Sequence, residues 1–281
     1  MNLKGIICAF GFLALVSNKA NAQKKESEGV KYNFNYGWKL NVGNDEQANL
    51  AAYDDSKWTS VNLPFAWNQS EAFRLDISHL STGIAWYRKT FQLPKDSSNK
   101  KVFIEFEGVR QMGEIYVNGT FVGRHENGVM AFGFDLTPYV KSGDNVIAVR
   151  VDNNWNYRER ATNQRYQWND KNFNANYGGI PKNVWLHVTD KLYQTLPLYS
   201  NLQTTGVYIY AEDIRVKSRK AVIHAESEIK NEYKRAKQVA YKVELIDRDG
   251  KTIKVFDGTQ TLVQPGETVT LKAAAEVDGL H

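Results

Sequence analysis

The sequence predicts an all-β protein, a jelly-roll β-sandwich followed by an incomplete immunoglobulin-like β-sandwich. Three observations carry that expectation. Short runs alternate apolar and polar residues at period two, an Asn-Gly pair stands between two such runs, and no segment holds the i, i+3, i+4 apolar stripe of a helix.

Residues 1–22 read as a signal peptide. Lys4 precedes an apolar run from Gly5 to Val16, and Ala20-Asn21-Ala22 fits the small-x-small rule for cleavage before Gln23. The run is shorter than the ~20 apolar residues that a membrane-crossing helix needs. The expected location is therefore periplasmic or extracellular, with no retained anchor and no membrane partner. The single cysteine, Cys8, falls inside the signal, which removes disulfides, thiolate-bound zinc and cysteine catalysis from the mature chain. The net charge of +5 includes Lys4 and Lys19, leaving 5 − 2 = +3 after cleavage, too little to argue for a nucleic-acid partner.

Residues 23–190 form the predicted jelly roll. Val102–Phe106, Ile115–Val117, Val146–Val151 and Val184–Val188 each place apolar residues on one face, with β-branched and aromatic types enriched. Asn118-Gly119 predicts a two-residue hairpin turn, because both central positions need positive φ and these two residues tolerate it. Long loops rich in Trp, Asn and Gly suit a jelly roll. Residues 191–281 carry plainer strands, among them Ala221–Ala225 and Val239–Leu245, with turns at DRDG (247–250) and QPGE (264–267). Even spacing without helices points to a sandwich of immunoglobulin type. The basic cluster EDIRVKSRK (212–220) reads as a solvated strand and turn. The last residues, EVDGLH, bring no turn or cap, so the second sandwich is expected to be short of a strand.

Chemistry is sparse in the motifs. His79, His125, His187, His224 and His281 show no metal spacing, and neither a nucleophile elbow nor a phosphate loop occurs. His187 and His224 fall on alternating strands as ordinary sheet residues. Asp54, Asp55, Glu105, Glu107, Glu114, Glu126 and Asp135 read as solvated charges in turns or on strand faces. Two segments differ: WNQSEAFRLDISHLSTGIAWYR (67–88) and NNWNYRERATNQRYQWNDKNFNANYGG (153–179) mix aromatics with Asn, Asp and Arg. Aromatic rings suit the C–H faces of sugars and the polar groups their hydroxyls, so such loops on a rigid sandwich are either carbohydrate-binding or packed by their own side chains.

YDDSKWTSVNLPFAW (53–67), GIAWYRKTF (83–91), FEGVRQMGEIYVNGTFVGRHENGVMAFGFDLTPYV (106–140), GDNVIAVRVDN (143–153) and GGIPKNVWLHV (178–188) together resemble the N-terminal sugar-binding domain of glycoside hydrolase family 2. That family contains β-galactosidases, β-glucuronidases and β-mannosidases. The resemblance implies an exported retaining glycosidase, with β-galactosidase as the expected activity. It also implies that the catalytic glutamates lie on a TIM barrel, which takes ~250 residues. No catalytic residue is assigned within these 281 residues, and the chain alone is expected to be inactive. The Gly-Ile element is expected to begin the last jelly-roll strand, with the loop before it projecting toward the sugar. In that loop Trp168, Asp170, Asn172 and Asn174 are the implied substrate contacts, and Asn68 a contact for the sugar or the loop. The implied partners are carbohydrate, a C-terminal catalytic barrel and a second copy in a homo-oligomer. No cofactor is required by this chain, although a bound cation belongs to some full enzymes. The alternatives are a free-standing carbohydrate-binding module and a structural or adhesive β protein.

Overall fold

The computed structural model describes residues 29–165 and 175–279; the signal-peptide reading at 1–22 lies outside them. The described chain is built of β-strands and divides into two units, 30–188 with Ser200–Leu202, and 189–199 with the residues from 203 onward.

In the first unit the strands run β1 (Val30–Asn33), β2 (Trp38–Val42), β3 (Thr59–Val61), β4 (Phe65–Ala66), β5 (Ile84–Gln92) and β6 (Lys101–Phe106). They continue with β7 (Met112–Val117), β8 (Thr120–His125), β9 (Phe132–Asp135), β10 (Asp144–Asp152), β11 (Gly179–Ile180) and β12 (Val184–Thr189). One sheet has the order β3-β2-β5-β10-β7-β8, the other β1-β12-β6-β9. Period-two alternation sends Ala85, Tyr87, Ile115, Val117, Ile147 and Val149 from the first sheet against Val102, Ile104, Phe106, Val184 and Leu186 from the second, all in one buried cluster. Burying each such aliphatic side chain stabilises the fold by about 1.5–3 kcal/mol. The predicted hairpin is present: Asn118 and Gly119 have φ of 52° and 84° between β7 and β8.

Strand β5 is covered on both faces. Trp86 joins Ala48, Trp58 and Ala148 in a separate small core beneath the segment between β2 and β3. Arg88, only 1% exposed, fastens that segment down. Its Nε donates to Asp55 at 2.9 Å, and its Nη1 donates to the carbonyls of Ala48 at 2.5 Å and Leu50 at 3.0 Å. The ring of Tyr53 lies 5.3 Å from the guanidinium carbon. A buried guanidinium persists because its donors are satisfied in this way.

The expectation that the glutamates of the strands are solvated charges is corrected. Glu105 accepts from His187 Nε2 at 2.8 Å and pairs with Lys31 at 3.1 Å. Glu107 accepts from Trp185 Nε1 at 2.8 Å and Asn183 Nδ2 at 2.9 Å. Glu114 is buried and bonds Arg124. Neighbouring strands bring these partners together, which spacing along the chain does not reveal.

The second unit contains β13 (Leu192–Gln194), β14 (Val207–Arg215), β15 (Lys220–Asn231), β16 (Lys237–Ile246), β17 (Thr252–Val263) and β18 (Thr268–Val277). Strand β15 is central: β18 runs along one edge, while β13 and β14 take different stretches of the other. The β16–β17 hairpin packs on this sheet around Ala225, Ile229, Val239, Tyr241, Val243 and Leu271. Both predicted turns form. Asp247 Oδ1 accepts from Asp249 N and Lys251 N, each at 2.9 Å, and Gly266 has a φ of 78°. The 212–220 cluster is a strand end and turn with Ile214 and Val216 exposed, as expected.

Candidate functional site

The two polar, aromatic segments singled out in the sequence meet at one end of the first sandwich, held by three buried asparagines. An asparagine amide donates twice and accepts through one oxygen, so it can tie together strands that no regular ladder joins. Asn68 Nδ2 donates to Ser81 O and to Asn176 O, both at 2.8 Å, and Asn68 Oδ1 accepts from Gly178 N at 2.9 Å. Asn176 Nδ2 donates to Asn153 O at 2.6 Å. Asn153 Oδ1 accepts from Gly83 N at 2.9 Å. Glu71 adds a clamp outside this knot, accepting from Ser81 N at 2.7 Å and Ser81 Oγ at 2.8 Å.

Asn68 is therefore placed against the loop rather than against an open surface: it is 1% exposed, and its amide is occupied by backbone. It positions the stretch that leads out of the 166–174 segment. Trp168, Asp170, Asn172 and Asn174 lie outside the described residues. Sequence reasoning missed Asn153, Asn176, Glu71 and Arg110, whose Nε donates to Asn176 Oδ1 at 3.3 Å. The signal available for them was the Asn-rich composition of both segments, but not which asparagines turn inward.

The Gly178-Gly179 pair has a steric cause. A Cβ on Gly178 would lie 2.5 Å from both Trp67 Nε1 and Asn153 Nδ2, and one on Gly179 2.2 Å from Tyr87 Oη. Gly179 also has a φ of +126°, a conformation that side chains rarely adopt. The reading of Gly-Ile as the start of the last strand is corrected: Gly179 and Ile180 form their own short strand on Ala66 and Phe65. Pro181–Asn183 then separates it from β12, because a proline cannot donate to a continuing ladder.

Ahead of the knot, Glu126 holds the start of the second segment, accepting from Tyr157 Oη and from Arg160 N. Burial, and then the Glu126 carboxylate, push the Tyr157 hydroxyl well above its usual pKa, so it stays a proton donor. Beside Glu126, burial lowers the pKa of His125, which stacks on Phe132 at 4.2 Å. Its Nδ1 lies 3.1 Å from Asn201 Oδ1. Among the described residues no three His, Cys, Asp or Glu side chains gather as a metal site. The arrangement can hold a loop and present its polar side chains.

A family model for the sugar binding domain of glycosyl hydrolases family 2 matches residues 39–190. A β-glucuronidase of Formosa agariphila is 43% identical over 236 residues, 81% of this chain and 24% of that protein. A β-galactosidase of Bacteroides ovatus is 30% identical over 227 residues, 78% of this chain and 24% of that protein. The solved structure of a β-glucuronidase from glycoside hydrolase family 2 superposes with a TM-score of 0.81 at 36% identity, covering 92% of this chain and 27% of the other. A Bacteroides uniformis β-glucuronidase covalently bound to cyclophellitol-6-carboxylate aziridine gives 0.74 at 26% identity, covering 89% and 28%. The chain spans about a quarter of the length of these relatives.

Proposed function

The chain belongs to glycoside hydrolase family 2, and on that premise we propose that it is the non-catalytic N-terminal part of an exported retaining β-glycosidase. The observation that carries this reading is the coverage: most of this chain matches about a quarter of the length of enzymes that are roughly four times longer, and the part matched by the family model is a sugar binding domain. Catalysis belongs to residues outside this chain. There one carboxylic acid protonates the leaving oxygen while a second carboxylate attacks the anomeric carbon, and water then releases the sugar. The contribution of the present chain is positional. The knot around Asn68, Asn153 and Asn176 fixes both ends of the segment that carries Trp168, Asp170, Asn172 and Asn174, whose side chains contact the sugar in this proposal. Residues 1–22 direct export.

Between the two activities named among the relatives, β-glucuronide hydrolysis has more support than the β-galactosidase expected from the sequence. The relative at 43% identity and both solved structures described above are β-glucuronidases, whereas the β-galactosidase is 30% identical. A chimera tests the reading. The purified chain alone is expected to release no product from aryl β-glucuronides or β-galactosides. Replacing the matching quarter of the Formosa agariphila enzyme with this chain is expected to give an active β-glucuronidase. A folded chimera without activity, or turnover by the chain alone, overturns the proposal.

A further inference from the structure

We propose that Asn127 is a site of self-modification, converted with time to isoaspartate and aspartate by loss of its side-chain nitrogen as ammonia, and that the fold protects Asn118 from the same reaction. The sequence holds two Asn-Gly pairs, Asn118-Gly119 and Asn127-Gly128, and treats them alike. The structure does not.

In this reaction the backbone nitrogen of the glycine gives up its proton and attacks the side-chain carbonyl carbon of the asparagine, which becomes tetrahedral while its oxygen takes the negative charge. Collapse expels the amide nitrogen as ammonia and leaves a five-membered succinimide. Water then opens the ring at one carbonyl or the other, giving isoaspartate or aspartate, so that one ammonia leaves and one water enters. A glycine in the second position leaves the attacking nitrogen unshielded by any side chain.

Asn118 cannot follow this course without dismantling its surroundings. Its Nδ2 donates to Tyr139 O at 2.9 Å and to Asn145 Oδ1 at 2.8 Å, and its Oδ1 accepts from Val146 N at 2.9 Å. All three partners belong to the stretch 139–146, so moving the carbon onto Gly119 N breaks three bonds and pulls the leaving nitrogen from two acceptors. At the net worth of an ordinary hydrogen bond each, that slows the attack about a hundredfold.

Asn127 is held differently. It falls between β8 and β9, beside the exposed Val129 and Met130. Its Oδ1 accepts from Val129 N at 3.2 Å and Met130 N at 3.3 Å, and among the described residues no bond holds its Nδ2. These two donors sit two and three positions along the same turn, and they point at the one atom that becomes negative when the carbon is attacked. Paired backbone donors of that kind stabilise a tetrahedral oxyanion. The outcome matters to the neighbouring residue, because Glu126 clamps Tyr157 and Arg160 N at the start of the second polar segment. Isoaspartate routes the main chain through the former side-chain carbon, which lengthens the backbone next to that clamp.

Trypsin separates the two pairs, since Arg124 stands between them with Arg110 and Lys141 outside. The test incubates the purified chain in mildly alkaline buffer, folded or in urea, and follows by mass spectrometry the exchange of amide for acid in each peptide. Isoaspartyl methyltransferase reports the isomer. Relative to its own rate in urea, Asn118 in the folded chain is expected to slow about a hundredfold and Asn127 to stay within about tenfold. Conversion at Asn127 is expected to give isoaspartate as well as aspartate. Protection of Asn127 beyond about tenfold would overturn the proposal, as would protection of Asn118 no greater than that of Asn127. Aspartate without isoaspartate would exclude the succinimide route and overturn it too.

Discussion

A methyl group on Gly179 would meet the Tyr87 hydroxyl at 2.2 Å while the backbone stayed at a φ of +126°. Tyr87 is buried and donates to Phe65 O at 2.9 Å, so it has nowhere to retreat. Gly179→Ala is therefore expected to lower the unfolding free energy in urea by at least the ~1–3 kcal/mol of a strained backbone. Lys89 offers a pH-dependent effect. Its Nζ donates to Tyr36 O at 2.6 Å and Phe34 O at 3.2 Å, and burial pulls its pKa down to about 8. In the unfolded chain the same amine titrates near ~10.4. Between those two values the unfolded state holds more protons, so stability should rise with pH over that window and stay flat below it. Urea titrations of Lys89→Met across the same pH range are expected to lack that rise; an identical slope would show that Lys89 is not its source.

At the scale of elements, the β7–β8 turn combines two separable contributions. Asn118 supplies positive φ, and its side chain also bonds Tyr139 O, Asn145 Oδ1 and Val146 N at 2.8–2.9 Å. Asn118→Gly keeps the first and deletes the second, so a loss of about 1–3 kcal/mol is expected in urea unfolding, against a larger one for Asn118→Val, which deletes both. This turn was legible in the sequence because its chemistry is local. The strands were legible for a related reason: burial on one face of a sheet imposes period two on any strand. Gly-Ile was misjudged because two residues carry no period, and its partner, Phe65–Ala66, lies more than a hundred positions away. The pairing of Glu105 with His187, 82 residues apart, was equally invisible. Asn68 was noticed as polar beside a loop, yet only the fold shows its amide turned inward.

At the scale of the molecule, two units with separate buried clusters are expected to lose structure as separate cooperative steps. Scanning calorimetry should give a total enthalpy larger than the van't Hoff enthalpy of either transition. A single transition with equal enthalpies would show one cooperative block. The legibility of function follows the same division. Family membership was readable from five motifs spread along the first unit, since each reports a turn or strand that the sandwich demands. The sugar preference was not, because discrimination between an acidic and a neutral sugar depends on the placement of a few polar side chains in space, which spacing along the chain does not report.

Strand β5 has apolar Tyr87 on one side and the Arg88 clamp on the other. A one-residue slip against β10 would exchange those sides, driving a guanidinium into the aliphatic layer and a tyrosine under Asp55. Ordinary surface strands lose only one contact layer when they misalign. Here both directions of error are rejected, so this strand acts as the alignment key against which the rest of the sheet is indexed.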